Sequence, residues 1–220
     1  MKKTLRRSQL LHLAAVAAMF LLTAWAWGQL PPDAQIPTHW NASGDVDQTS
    51  SKAFGLMFAP LLSLAMLALF TVLPAIEPRR EHLEASATAY AVAWSGIALL
   101  LALIHAGIVL AAFGYDVPMD RAMPLLIGFL FLGLAWAMPR IQSNFMLGIR
   151  TPWTLSSEYS WQRTHAAGRW VFGAIGIAMV AMGLVGVGEQ GFMVVIGGAV
   201  AASLALAGYS YLMWRQDPET

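Results

Sequence analysis

The stretch Thr88-AYAVAWSGIALLLALIHAGIVLAA-Phe113 contains no Asp, Glu, Lys or Arg. About 20 mostly apolar residues suffice for a helix to cross a bilayer, so this stretch reads as a membrane span. Its run is continuous, without the apolar/polar alternation of a barrel strand. Working outward, five more stretches read alike: Leu10–Trp27, Phe54–Ile76, Met123–Met138, Trp170–Val187 and Gly191–Leu212. Met123–Met138 is the shortest, with Pro124 and Pro139 near its ends. Gly188-Glu189-Gln190-Gly191 reads as the tight turn joining the last two spans. The expectation is an all-α integral membrane protein, a six-transmembrane-helix bundle with both termini cytoplasmic. It is read as one domain over 1–220, with spans in 8–76 around an extracytoplasmic loop 30–53. Four further spans lie in 87–220, behind a cytoplasmic hairpin at 140–169.

Composition agrees. Of 220 residues, 58% are hydrophobic and 11% charged, against roughly 25% charged in ordinary globular domains; mean hydropathy is +0.59. The net charge of +1 argues against direct nucleic-acid binding, which wants a basic face. The absence of Cys excludes disulfides, thiolate metal sites and a Cys nucleophile.

Orientation follows from the Lys/Arg count of the connections. With the N-terminus inside, the inner segments hold Lys2, Lys3, Arg6, Arg7, Arg79, Arg80, Arg140, Arg150, Arg163, Arg169 and Arg215. The outer ones hold only Lys52 and Arg121. The basic start and Ala24-Trp25-Ala26 resemble a cleavable signal, but the long apolar run and bulky Trp25 and Trp27 favour a retained span. A bacterial cytoplasmic (inner) membrane location, multi-pass, is expected.

Two connections are long enough to hold a site. In the outer one, Asn41-Ala-Ser-Gly44 supplies turn chemistry. His39, Asp45 and Asp47 are weak candidates for a cation; Asx turns explain them without metal, and neither metal nor cofactor is expected. In the inner one, Thr151, Thr154, Ser156 and Ser157 offer N-caps for a helix running toward Arg169, with Pro152 suited to its first turn. At 100° per residue Glu158, Gln162, His165 and Arg169 fall in one row, with Trp161 at its border. Arg150 is placed to pair with Glu158. A polar hairpin held by caps and ion pairs, and a binding or catalytic surface, both fit this spacing. Glu77–Glu84 reads as a solvated loop. Mid-span His105 reads as a structural hydrogen-bonding group, and His12 as a residue that snorkels from a span end. Without intramembrane carboxylates, coupled transport is disfavoured.

Two segments resemble the SdpI-type bacterial immunity proteins. The inner Asn144-FMLGIRTPWTLSSEYSWQRTHAAG-Arg169 is similar to their signature: an Asn, Gly-Ile-Arg-Thr-Pro-Trp-Thr-Leu, a Glu, a Trp, and Thr-His followed by Gly. The outer Ile36-PTHWNASGDVDQTSSKA-Phe54 is similar to a small domain of unknown function that commonly opens such proteins, matched at Pro37, His39, Trp40, Gly44, Asp47 and Lys52. The resemblance implies a membrane protein that protects against, or senses, a membrane-active toxin peptide or envelope ligand. It also implies a cytoplasmic repressor as partner, beside the lipid bilayer itself; the oligomeric state is left open. The binding residues it marks are Asn144, Arg150, Thr151, Trp153, Glu158, Trp161, His165 and Arg169 inside, with His39, Trp40, Asp47 and Lys52 outside. The rival expectation is a membrane-embedded enzyme using Glu158 and His165 at the cytoplasmic interface.

Overall fold

A computed structural model describes residues 2–218. Among these, six helices are long and apolar enough to cross a membrane. In chain order the elements are α1 (Lys2–Gln29), strands β1 (Gln35–Trp40) and β2 (Val46–Ser51), α2 (Lys52–Ile76), short α3 (Arg80–Ala85), α4 (Ala87–Ala112) and α5 (Met119–Ala137). A 3-10 turn (Met138–Arg140), short α6 (Pro152–Ser156), α7 (Glu158–Val185) and α8 (Gly188–Arg215) follow. The six long helices are the six expected spans.

The bundle has two halves. Helices α1, α2 and α4 pack on one another, α5 packs on α7 and α7 on α8, and α4 against α5 joins the halves. In the first half, buried histidines bridge three helices. The Trp94 indole N–H donates to His12 Nδ1 (2.7 Å), leaving His12 Nε2–H for the Ser63 hydroxyl (3.0 Å). Thr23 donates to the Leu56 carbonyl and meets His105 Nε2, both at 3.0 Å. His12 and His105 are each 0% exposed, so His105 is structural as expected. His12 does not snorkel: its partners hold it between helices, where neutral imidazole needs hydrogen bonds in place of water.

In the second half, glycines let α5 and α7 approach backbone to backbone. A Cβ at Gly128 would lie 2.9 Å from the Gly176 carbonyl oxygen, and one at Gly176 3.0 Å from that of Gly128. Gly183 repeats the contact against Arg121. Without a hydrophobic driving force in lipid, such close packing is what holds helices together.

Three boundaries differ from expectation. The α7–α8 turn lies at Gly186–Val187, where Gly186 takes φ +73°; Glu189 belongs to the first turn of α8. Helix α7 runs unbroken from Glu158 through the fifth span, because neither Arg163 nor Arg169 interrupts a helix. Consequently Arg163 and Arg169, and Lys52 at the start of α2, stand on long helices rather than in connections. The outer loop folds as an antiparallel hairpin, with Gln35 opposite Ser51 and Trp40 opposite Val46.

Candidate functional site

At the end of the bundle carrying most of the Lys and Arg residues, segment 141–151 folds back onto α3, α6 and α7. Asn144, 0% exposed, staples it internally: its Oδ1 accepts from Met146 N (2.8 Å) and Leu147 N (2.7 Å), and its Nδ2 donates to Gln142 O (2.7 Å). Gly148 takes φ +113°, and a Cβ there would meet His165 Nε2 at 2.4 Å. That close approach lets Ile149 N–H donate to His165 Nε2 (3.0 Å), while His165 Nδ1–H donates to the Trp161 carbonyl (2.8 Å). Both ring nitrogens are therefore engaged, as one donor and one acceptor, which fixes the neutral tautomer in this arrangement. Trp161 stacks on His165 with centroids 4.1 Å apart and donates to Ile141 O at 2.7 Å.

Thr151 caps α6 in a reciprocal box with Thr154, and Ser157 caps α7. Those caps also attach α8: Thr151 Oγ1 lies 2.9 Å from Ser210 Oγ, and Ser160 donates to Ser210 O at 2.7 Å. The Trp153 ring lies 5.1 Å from that of Tyr211.

The expected polar row divides. His165 is 1% exposed, whereas Glu158, Gln162 and Arg169 are exposed. The buried residues of the first turns of α7 are Ser160, Trp161, Thr164, His165 and Gly168, because the folded-back segment and α8 cover that side. Glu158 accepts from Gln162 Nε2 (3.2 Å), and Arg150 donates to the Phe145 carbonyl instead of pairing with Glu158. Arg169 lies over the Trp170 ring at 5.3 Å. Glu158 and His165 thus present to different surroundings, one solvent and one core.

Glu77–Glu84 is solvated only in part: Arg80, Glu81, His82 and Glu84 are exposed, but Glu77 and Arg79 are held in the fold. Glu77, 5% exposed, accepts from Arg79 N (2.8 Å) and Phe145 N (3.0 Å). Arg79 donates to Ser143 Oγ and to Leu155 O, and lies over the Phe145 ring. His82 Nδ1–H donates to Ser143 O (2.7 Å), and Ser86 Oγ accepts from Gln142 N (2.8 Å). Sequence reading missed these residues. The signal available was density: five charged side chains and a histidine within Glu77-Pro-Arg-Arg-Glu-His-Leu-Glu84, on the same side of the bundle as the richest connection.

At the opposite end the hairpin turn follows the Asx chemistry read from sequence. Asn41 Oδ1 accepts from Ser43 N (2.9 Å) and Asp45 N (3.0 Å), and Gly44 takes φ +90°. Ile36, 0% exposed, presses on Gly55 and seats the hairpin on α2. Lys52 is 7% exposed, and its ammonium donates to the carbonyls of Trp27 (2.7 Å) and Leu30 (2.6 Å) while lying over the Trp27 ring. It caps the carbonyl end of α1, where a cation is favoured, and is turned away from solvent. His39 and Asp47 form an exposed hydrogen-bonded pair. Asp45 does not join them, facing Asn41 instead. Among the described residues no group of three His, Cys, Asp or Glu side chains could hold a metal. Trp40, Pro37, Asp45 and Val46 form one wall of a cleft of about 300 Å³, with Tyr115, Asp116 and Val117 of the α4–α5 turn on the other.

Comparison with known proteins follows this division. Residues 14–64, which contain the hairpin, match a domain of unknown function (DUF1648). Residues 140–210, which contain the folded-back segment, α6, α7 and most of α8, match the SdpI/YfhL protein family. The immunity protein SdpI of Bacillus subtilis (strain 168) is 24% identical over 157 residues, covering 71% of this chain and 72% of that protein. No solved structure matches. The knot of the folded-back segment around His165 thus lies inside the match to the SdpI/YfhL family and the Lys52-capped hairpin inside the match to DUF1648, and the chain is similar to both over those residues.

Proposed function

We propose that this protein sits in the bacterial cytoplasmic membrane with both termini inside, and protects the cell by binding a membrane-active peptide or envelope ligand at its hairpin end. The observation that carries this reading is an asymmetry of engagement. At the basic end the motif's Asn144, Thr151, Trp161 and His165 hydrogen-bond within the fold. At the hairpin end Asp45 and the His39–Asp47 pair are exposed beside an open cleft walled by Trp40, Tyr115 and Asp116. Recognition needs groups free to exchange water for a ligand, and the hairpin end supplies them. The knot at the other end ties α3, α6, α7 and α8 into one unit, and its solvent face, including Arg150 and Glu158, is where a cytoplasmic partner such as a repressor would read the liganded state. The immunity function named for the Bacillus relative supports the same reading. Expression in a toxin-sensitive host tests it: survival under challenge by at least one of several membrane-active peptides is expected, and killing equal to the empty-vector strain by all of them contradicts it.

A further inference from the structure

The basic end of the bundle carries two cations, Arg163 and Arg169, that rest near aromatic rings. Among the described residues the lysine and arginine ion pairs reduce to one, Arg80 with Glu84. Arg163 and Arg169 instead lie over aromatic rings of their own helix, at 5.3 Å from Tyr159 and 5.3 Å from Trp170 respectively. Both are exposed. Tyr159, Arg163 and Trp170 share one stripe of α7, since steps of four and seven residues return to nearly the same face.

A second observation meets the first at Trp170. This residue, 73% exposed, also begins an apolar groove of about 490 Å³ between α7 and α8, lined by Val171, Ala174 and Ala178 on one side and Val195 and Gly198 on the other. The groove exists because α8 packs chiefly on α7 and offers small residues to it; a Cβ at Gly198 would meet nothing within 4 Å. Depth fits as well. Helix α7 has 28 residues, about 42 Å at 1.5 Å each, against about 30 Å of hydrocarbon. If its Val185 end lies at one boundary, the other falls about 20 residues back, near Ala166 and between Arg163 and Arg169.

We infer that this is a binding site for an anionic phospholipid of the leaflet at the basic end: phosphate on Arg163, whose stripe leads to Trp170 and the groove, with Arg169, which reaches over the Trp170 ring from a neighbouring face, as second cation, and one acyl chain in the α7–α8 groove. A guanidinium resting near an aromatic ring leaves N–H donors available for phosphate oxygens. The apolar groove that begins at Trp170 distinguishes a lipid from a soluble anion or an acidic protein, neither of which has an acyl chain to place there. Basic sites between spans on this side of a membrane are recognised places for anionic headgroups.

The test uses the full chain purified in a neutral detergent, with thermal melting and native mass spectrometry as readouts. Phosphatidylglycerol is expected to raise the melting temperature and to bind about tenfold or more tightly than phosphatidylcholine of identical chains, as a charge-assisted phosphate contact demands. Inorganic phosphate and poly-glutamate at matched charge are expected to give no shift. Arg163→Gln/Arg169→Gln should remove the preference between the two lipids, and Gly198→Leu, which fills the groove, should weaken both. Arg6→Gln/Arg7→Gln, at the same end but on α1, should keep the preference. The inference is overturned by equal binding of the two lipids, by a preference that survives in Arg163→Gln/Arg169→Gln or vanishes equally in Arg6→Gln/Arg7→Gln, by undiminished binding to Gly198→Leu, or by a poly-glutamate or phosphate shift matching the lipid's.

Discussion

Replacing Gly148 with Ala puts a methyl group where the fold has no room for one. The backbone there holds φ +113°, and the new Cβ would stand 2.4 Å from His165 Nε2 and 3.3 Å from the Trp161 ring. His165 cannot retreat, because its other nitrogen is bonded to the Trp161 carbonyl and it is 1% exposed. The substitution therefore carries backbone strain of about 1–3 kcal/mol, plus about 1–3 kcal/mol for a buried Ile149 N–H that loses its acceptor. A total of roughly 2–6 kcal/mol is expected, a drop in melting temperature of about 10 °C for a chain of this size. Scanning calorimetry or fluorescence melting in detergent reads it directly. The same substitution in a His165→Ala background should cost only the strain, a coupling of about 2 kcal/mol in the double-mutant cycle. An equal loss in both backgrounds, or a shift under about 2 °C, would refute the proposed clash with the imidazole.

Lys52→Met should destabilise by about 2–4 kcal/mol, because the carbonyls of Trp27 and Leu30 lose their charged donor in a buried setting; a neutral result in the melt would mean water reaches them. Gly176→Leu should force α5 from α7 at the Gly128 contact and lower stability by about 1–3 kcal/mol, seen as faster proteolysis of the 141–151 segment as well as earlier melting. Thr164→Val should be neutral or slightly stabilising, since the buried Thr164 hydroxyl finds no hydrogen-bond partner among the described residues; a loss above about 1 kcal/mol would show that it has one.

The six spans were legible because twenty apolar residues without charge admit few other structures in a membrane. Their ends were less so. Nothing in the sequence between Glu158 and Trp170 breaks a helix, yet Arg163 and Arg169 resemble connection residues by composition, so the helix that carries the fifth span starts twelve residues before the expected start of that span. The last turn was placed at Gly188–Gly191, where four polar or flexible residues gather, while the chain reverses over Gly186–Gly188, whose two glycines both take positive φ. The turn of the outer hairpin was readable from Asn41 to Gly44, but its second strand, Val46-Asp-Gln-Thr-Ser-Ser51, is polar on both faces and carries little period-2 signal. At the basic end, the caps Thr151 and Ser157 were among those foreseen. What escaped was tertiary: Glu77 meeting Phe145, Arg79 meeting Ser143, and Ser210 receiving α6 and α7 are pairings across long stretches of chain, which spacing along one helix cannot reveal. The same pairings put His165 inside and Glu158 outside.

The proposed role of the hairpin end in binding a ligand is tested most directly by survival under peptide challenge. Cells expressing the wild-type chain are compared with cells expressing His39→Ala/Asp47→Ala at matched membrane abundance. Because that pair is exposed and exposed pairs add little to stability, the variant should melt as the wild type does. Protection by the wild type and its loss in the variant is the predicted result; full protection by a variant lacking both side chains would contradict the assignment of the hairpin as the receptive end.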